Sequence, residues 1–156
     1  MLSFTILIPL FSAAAALFLK QKRSIEIFGI AAQSVIVVLS LIIISQVAGG
    51  GMILSRDKWL MADALSAYLA AIVSVIGFGA LIYSAGYLNE ELKTNAIFPK
   101  QVKRYYAFAH LFIFAMLLAL FSDNLALMWI AIEGTTLATA FLINFYNLNF
   151  HIHYNY

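Results

Sequence analysis

Apolar residues fall into five long stretches: Leu2 to Leu19, Ile25 to Val47, Ala64 to Leu88, Tyr105 to Ser122, and Leu125 to Tyr146. A helix needs ~20 mainly apolar residues to cross the hydrocarbon core of a bilayer. Charged residues gather in the joints between the stretches. The pattern predicts an all-α polytopic membrane protein with five transmembrane helices over residues 1–146. A polar and aromatic tail, residues 147–156, follows them. No linker, second soluble domain or internal repeat is visible in the pattern.

Composition sharpens this picture. Hydrophobic residues make up 64% of the 156 and charged residues 10%, with a mean hydropathy of +0.96. A soluble domain carries roughly 45–50% apolar and about 25% charged residues. Both an ordinary water-soluble globule and a disordered chain are therefore excluded. The chain has no cysteine, which removes disulfides, thiolate zinc sites and cysteine-ligated iron–sulfur clusters. Three histidines, two of them in the tail, offer no obvious pair of haem ligands. No cofactor, metal or catalytic centre of its own is expected. A formal charge of +2 is too small to suggest nucleic-acid binding.

The charges also orient the helices. Lys20, Lys22 and Arg23 lie in the first loop, and Lys93, Lys100, Lys103 and Arg104 in the third. The second loop holds only Arg56 and Lys58, offset by Asp57 and Asp63, and the fourth connection has no basic residue. Excess Lys and Arg in short loops marks the cytoplasmic side. The N-terminus is therefore expected outside. Basic residues follow the first span rather than precede it, the order of a retained helix and not of a cleaved signal.

In the second loop, Gly49-Gly50-Gly51 reads as a flexible turn, since glycine adopts positive φ without steric cost. No Gly-Lys-Ser/Thr follows, so a phosphate loop is not indicated. Trp59 reads as an interfacial anchor.

An ionisable group inside a membrane span is costly and raises a functional hypothesis by default. Glu133 is the strongest case, nine residues past Asn124 and thus ~13.5 Å into the fifth span. A lone carboxylate at that depth is protonated unless a cation or water stabilises its charge. Every Lys and Arg lies in a loop, so no cation on this chain shares its depth. Gly134, Thr135, Thr136 and Thr139 surround it with small and hydroxyl side chains that permit close helix approach. A proton relay and a neutral, hydrogen-bonding packing role both fit.

His110, counted from Tyr105, lies ~7.5 Å inside the cytoplasmic end of the fourth span. It reads either as a second proton-relay residue or as a satisfied structural histidine. Glu26 reads as a solvated interfacial ion pair with Lys22 and Arg23, and Gln33 and Ser34 as packing residues. Asp123 and Asn124 favour a tight turn and a helix cap, which would fold the last two helices into a hairpin.

These residues carry a family likeness. Ala62-Asp-Ala-Leu-Ser66 and Tyr83-Ser-Ala-Gly-Tyr87 resemble elements of the antiporter-like membrane subunits of the complex I and membrane-bound hydrogenase family. Arg104-Tyr-Tyr-Ala-Phe108, Ser122-Asp-Asn-Leu125 and Trp129-Ile-Ala-Ile-Glu-Gly-Thr-Thr-Leu-Ala138 resemble the hydrogenase-4 branch of that family. The likeness runs from about Asp63 to Tyr146 and is looser over the first two spans. It implies a membrane-arm subunit coupling a remote redox reaction to proton or sodium movement. Glu133 matches the family's fifth-helix glutamate, which is paired there with a lysine on the seventh helix. The family has about fourteen helices, two of them broken, a known device for membrane ion sites. Five are expected here, without that lysine, the central lysine–histidine relay or the second inverted repeat.

The tail turns to Asn147, Asn149, His151, His153 and Asn155 among aromatics. Its His-x-His has no third or fourth ligand nearby. A truncated or frame-shifted end, or a split subunit completed by another polypeptide, is the expectation.

The resulting reading is a membrane-arm subunit, or fragment of one, in a proton-translocating NADH-quinone oxidoreductase-like or hydrogenase complex of the cytoplasmic membrane. A non-pumping scaffold of such a complex is the alternative, and a free-standing small transporter a third. Expected partners are other membrane subunits, the lipid bilayer, and a second chain supplying the missing helices and cation. Orientation is directly testable, because the cysteine-free chain gives no labelling background. A cysteine placed at Asn95 should resist an impermeant reagent applied outside intact cells. Labelling there would overturn the topology.

Overall fold

The computed structural model describes residues 1–19, 21–55, 58–94 and 97–144. It contains five helices: α1 (Leu2–Phe18), α2 (Lys22–Val47), α3 (Ala64–Lys93), α4 (Pro99–Phe121) and α5 (Leu125–Ile143). Two short strands, β1 (Ile53–Leu54) and β2 (Met61–Ala62), lie between α2 and α3. Helices α2 to α5 are long and apolar enough to span a bilayer. The 17 residues of α1 rise only ~26 Å, the short end of the spanning range. Each of the five apolar stretches thus corresponds to one helix. The residues after Asn144, including the tail and its two histidines, lie outside the described residues.

The distribution of side chains is that of a membrane bundle. Large apolar residues point outward: Phe11 is 68% exposed, Ile76 66% and Ile130 67%. The interior combines large apolar residues such as Ile36, Ile43, Leu117 and Phe121 with small and polar groups, among them Ala70, Ala107, Thr5, Ser12, Gln33, Ser40, Ser74 and His110. Lipid is as apolar as leucine, so helices associate there through close packing and interior hydrogen bonds rather than through a hydrophobic force. Together these features make the chain a multi-pass membrane protein.

Helix α4 is the hub, packed against α1, α2, α3 and α5. Pro99 starts it, where the missing N–H is no loss, and Phe98 N–H donates to Gln101 Oε1 at 2.7 Å. The helix therefore begins six residues before Tyr105, carrying Lys100, Lys103 and Arg104 as its first turns. Hydropathy alone assigns these basic residues to the loop.

The second loop is more ordered than a glycine turn suggests. Gly50 does take positive φ (83°), but the chain then forms an antiparallel hairpin pairing Ile53 with Ala62 and Leu54 with Met61. Leu60 bridges Ser122, and Asp123 N–H donates to Trp59 O at 3.0 Å. The hairpin thereby latches onto the α4–α5 turn. There Asn124 caps α5, its side chain accepting from Ala126 N–H at 2.9 Å and Leu127 N–H at 3.3 Å.

Asp63 starts α3 through a capping box: its carboxylate accepts from Ser66 N–H at 2.8 Å, and Asp63 N–H donates to Ser66 Oγ at 2.9 Å. The Ser66 backbone N–H, then its hydroxyl, hold the carboxyl below the usual carboxylate range. Replacing such a cap by alanine costs about 0.5–2 kcal/mol, so Asp63→Ala should lower stability in mixed-detergent unfolding while Asp63→Asn loses less. The folded-state pKa is lowered, so the charge-dependent part is present at neutral pH. It should fade as pH falls below about 4, and it should be missing from the pH profile of Asp63→Asn.

Candidate functional site

Glu133 is the ninth of the 19 residues of α5, close to its middle. It lies on an exposed stripe with Ala126, Trp129, Ile130, Thr136, Leu137 and Ala140. The opposite face, with buried Ala131 and Ala138, meets α4. Gly134 belongs to the packed side, where an added Cβ would stand 3.4 Å from that of Ala115. The neighbouring hydroxyls bond their own helix: Thr135 to Ile132 O at 2.7 Å, Thr136 to Glu133 O at 2.8 Å, and Thr139 to Thr135 O at 2.8 Å. Serine and threonine commonly satisfy themselves this way in helices. The Glu133 side chain thus lies on the outward face of α5, among mainly apolar neighbours.

His110 is elsewhere. Counted from Pro99 it lies ~16.5 Å along α4, deeper in its helix than a count from Tyr105 gives. It is fully buried. Its Nδ1 is 2.8 Å from Tyr106 O and its Nε2 3.3 Å from Gly29 O on α2. The structure therefore joins His110 to α2, across α4 from the helix that bears Glu133. The two expected relay residues are not brought together.

Around His110 runs a file of buried polar groups that sequence patterning does not connect. Lys22 Nζ lies 3.2 Å from Glu26 Oε1, with side chains only 21% and 13% exposed, and Lys22 also bonds Asn89. The pair expected in solvent is largely enclosed, because the α2 face bearing Glu26 turns toward α4. Further along α2, Gln33 Nε2 donates to Ser74 O at 2.9 Å, and the Ser40 and Ser74 hydroxyls are 2.8 Å apart. Ser34 bonds Ile30 O of its own helix. The signal for this file is the spacing 22, 26, 29, 33, 40, which keeps one helical face. Among the described residues, no group of three or more His, Cys, Asp or Glu is placed to hold a metal.

No family model matches the chain. Individual proteins do. A hydrogenase-4 component F homolog of Methylacidiphilum infernorum is 30% identical over 89 residues, 57% of this chain and 19% of that one. NADH-quinone oxidoreductase subunit L of Escherichia coli is 26% identical over 163 aligned positions, covering 94% of this chain and 25% of its own length. A putative antiporter subunit mnhA2 of Staphylococcus aureus is 33% identical over 90 residues, 58% of this chain and 10% of the other. The resemblance to antiporter-like membrane subunits holds. The chain spans a quarter or less of the length of these relatives.

A close helix approach in the site is at Gly29, where a Cβ would stand 3.0 Å from His110 Cε1 and 3.3 Å from Tyr106 Cδ1. Gly29→Ala should destabilise the bundle by about 1–3 kcal/mol through overpacking. Gly79 has nothing within 4 Å of that position, so Gly79→Ala should be neutral or slightly stabilising. Equal unfolding midpoints for the two variants would refute the tight contact.

Proposed function

We propose that this chain is part of the membrane arm of a proton-translocating NADH-quinone oxidoreductase-like or hydrogenase complex, in which Glu133 takes part in ion movement. The observation that carries the reading is the carboxylate itself, in mid-helix on the exposed stripe of α5. A charge at that depth is stable only beside a cation or water, and otherwise takes up a proton. No Lys or Arg among the described residues sits in the middle of a helix. The partner cation therefore comes from another membrane subunit or segment.

The relatives support this reading, since their names are those of NADH-quinone oxidoreductase, hydrogenase and antiporter subunits. The family's location suggests the cytoplasmic membrane, with the basic ends of α2 and α4 inside. The scaffold alternative places the same subunit in the same complex with Glu133 as packing glue.

Glu133→Gln separates the two, because it keeps shape and hydrogen bonding but removes proton exchange. In sealed vesicles at matched redox turnover, a complex carrying it should translocate protons roughly tenfold more slowly or worse, with assembly intact. Translocation equal to wild type would return Glu133 to a structural role, and Glu133→Ala should then weaken assembly.

A further inference from the structure

Two grooves meet at the basic end of α4. Toward α1, a space of about 460 Å³ is lined by Arg104, Phe108 and Leu111 of α4 and by Leu10, Ala14 and Leu17. Toward α5, a space of about 280 Å³ is lined by Gln101, Arg104, Tyr105 and Phe108 with Phe141 and Leu142. The grooves share Arg104 and Phe108. Phe108 is stacked on Phe141, with ring centroids 4.7 Å apart and planes 11° from parallel, so the wall common to both grooves is held in place. Each space is several times the ~30 Å³ of a water molecule. Most of the lining is apolar, so hydrocarbon suits it better than water.

Arg104 is exposed and lies ~7.5 Å along α4 from Pro99. A long basic side chain near a helix end reaches the interfacial level of a bilayer. Among the described residues, ion pairs join Lys22 to Glu26 and Lys93 to Glu90, and Arg104 takes part in neither. Lys100 and Lys103 stand beside it in sequence on the same helix. Nothing on the walls opposes this charge. Helix α1 carries no ionisable side chain, and α4 carries no acid. The one acid of α5 is Glu133, ~15 Å before the end of that helix. The helices that form the grooves thus bring positive charge to this end and no negative charge.

We infer that the basic end of α4 binds an anionic diacyl phospholipid, its phosphate on Arg104 and one acyl chain in each groove beside Phe108. A single guanidinium between two apolar clefts matches a ligand with one charged group above two hydrocarbon chains. A net-negative headgroup is preferred to a zwitterionic one for two reasons. Lys100 and Lys103 add attraction, and no acid on these helices is there to receive a choline or ethanolamine cation. Basic pockets between membrane helices hold anionic headgroups by this chemistry. The inference goes beyond the role proposed for Glu133 and does not depend on it.

The test places the full 156-residue chain in nanodiscs of equal phosphatidylglycerol and phosphatidylcholine with matched acyl chains. Native mass spectrometry then reads which lipid stays bound. Phosphatidylglycerol should be retained in preference to phosphatidylcholine. Arg104→Gln should lower its retention about fivefold, roughly the attraction of one basic residue at an anionic surface. Arg23→Gln removes the same charge from an exposed position of α2 that lines neither groove, and should leave retention unchanged. Ala14→Phe fills the α1-side groove from an exposed position and should lower retention with Arg104 still in place. Equal losses from Arg104→Gln and Arg23→Gln would reduce the effect to diffuse surface charge and overturn the site. So would equal retention of the two lipids, or no effect of Ala14→Phe. Displacement by soluble glycerol phosphate would give Arg104 to a free phosphate instead, and a lipid-free dimer would give the grooves to a second copy of the chain; either overturns the proposal. No readout involves proton translocation, so failure here leaves the Glu133 experiment standing.

Discussion

Helices surrounded by lipid have no hydrophobic force drawing them together, so their association rests on contacts that lipid cannot imitate. In this chain those contacts converge on α4 and the side of α2 facing it. Gly29 removes a side chain where His110 and Tyr106 must fit. Gly77 does the same where Gln33 and Ile113 approach within 3.0 and 3.1 Å of its missing Cβ. The space is filled by polar groups, His110 against Gly29 O and Gln33 against Ser74 O. Each such group would be strongly disfavoured in lipid alone. Closeness and polarity thus depend on each other: a larger residue at 29 or 77 would separate the helices and strand the hydrogen bonds.

The far end of the bundle is closed by a different device. The β1–β2 hairpin and the α4–α5 turn share backbone hydrogen bonds, Asp123 N–H to Trp59 O among them. This ties α5 to the loop before α3, although α5 buries only a narrow side of its own surface. The Asp63–Ser66 capping box starts α3 directly after the hairpin. The motif Ala62-Asp-Ala-Leu-Ser66, a family likeness in the sequence, thereby has a physical reason to exist.

The helices are legible in the sequence because a span of apolar residues is a strong one-dimensional signal. Their inward faces are not. In a soluble protein, polarity marks the outside, whereas here both surfaces are apolar and the helical period is weak. The neighbours Lys22 and Arg23 accordingly assign Glu26 to solvent, although the face it shares with Gly29 and Gln33 turns inward. The start of α4 is likewise hidden, because Lys100, Lys103 and Arg104 end the hydropathy signal but not the helix, which Pro99 initiates. The hairpin is invisible because two residues per strand leave no alternation to read. Glu133 needs only its depth, and the sequence supplies that directly. Its exposure depends on the packing of Ala131, Gly134 and Ala138 on α4.

The two ionisable positions are physically opposite cases, and α4 stands between them. His110 is enclosed by groups from this chain, its two ring nitrogens facing the Tyr106 and Gly29 carbonyls. Glu133 has no such enclosure, and its neighbouring threonines spend their hydroxyls on backbone carbonyls. Lipid offers no partner to a polar side chain, so any partner for Glu133 must lie against the outward stripe of Ala126, Trp129, Ile130 and Thr136. The surroundings of Glu133 are thus completed from outside the described helices, and those of His110 from within them.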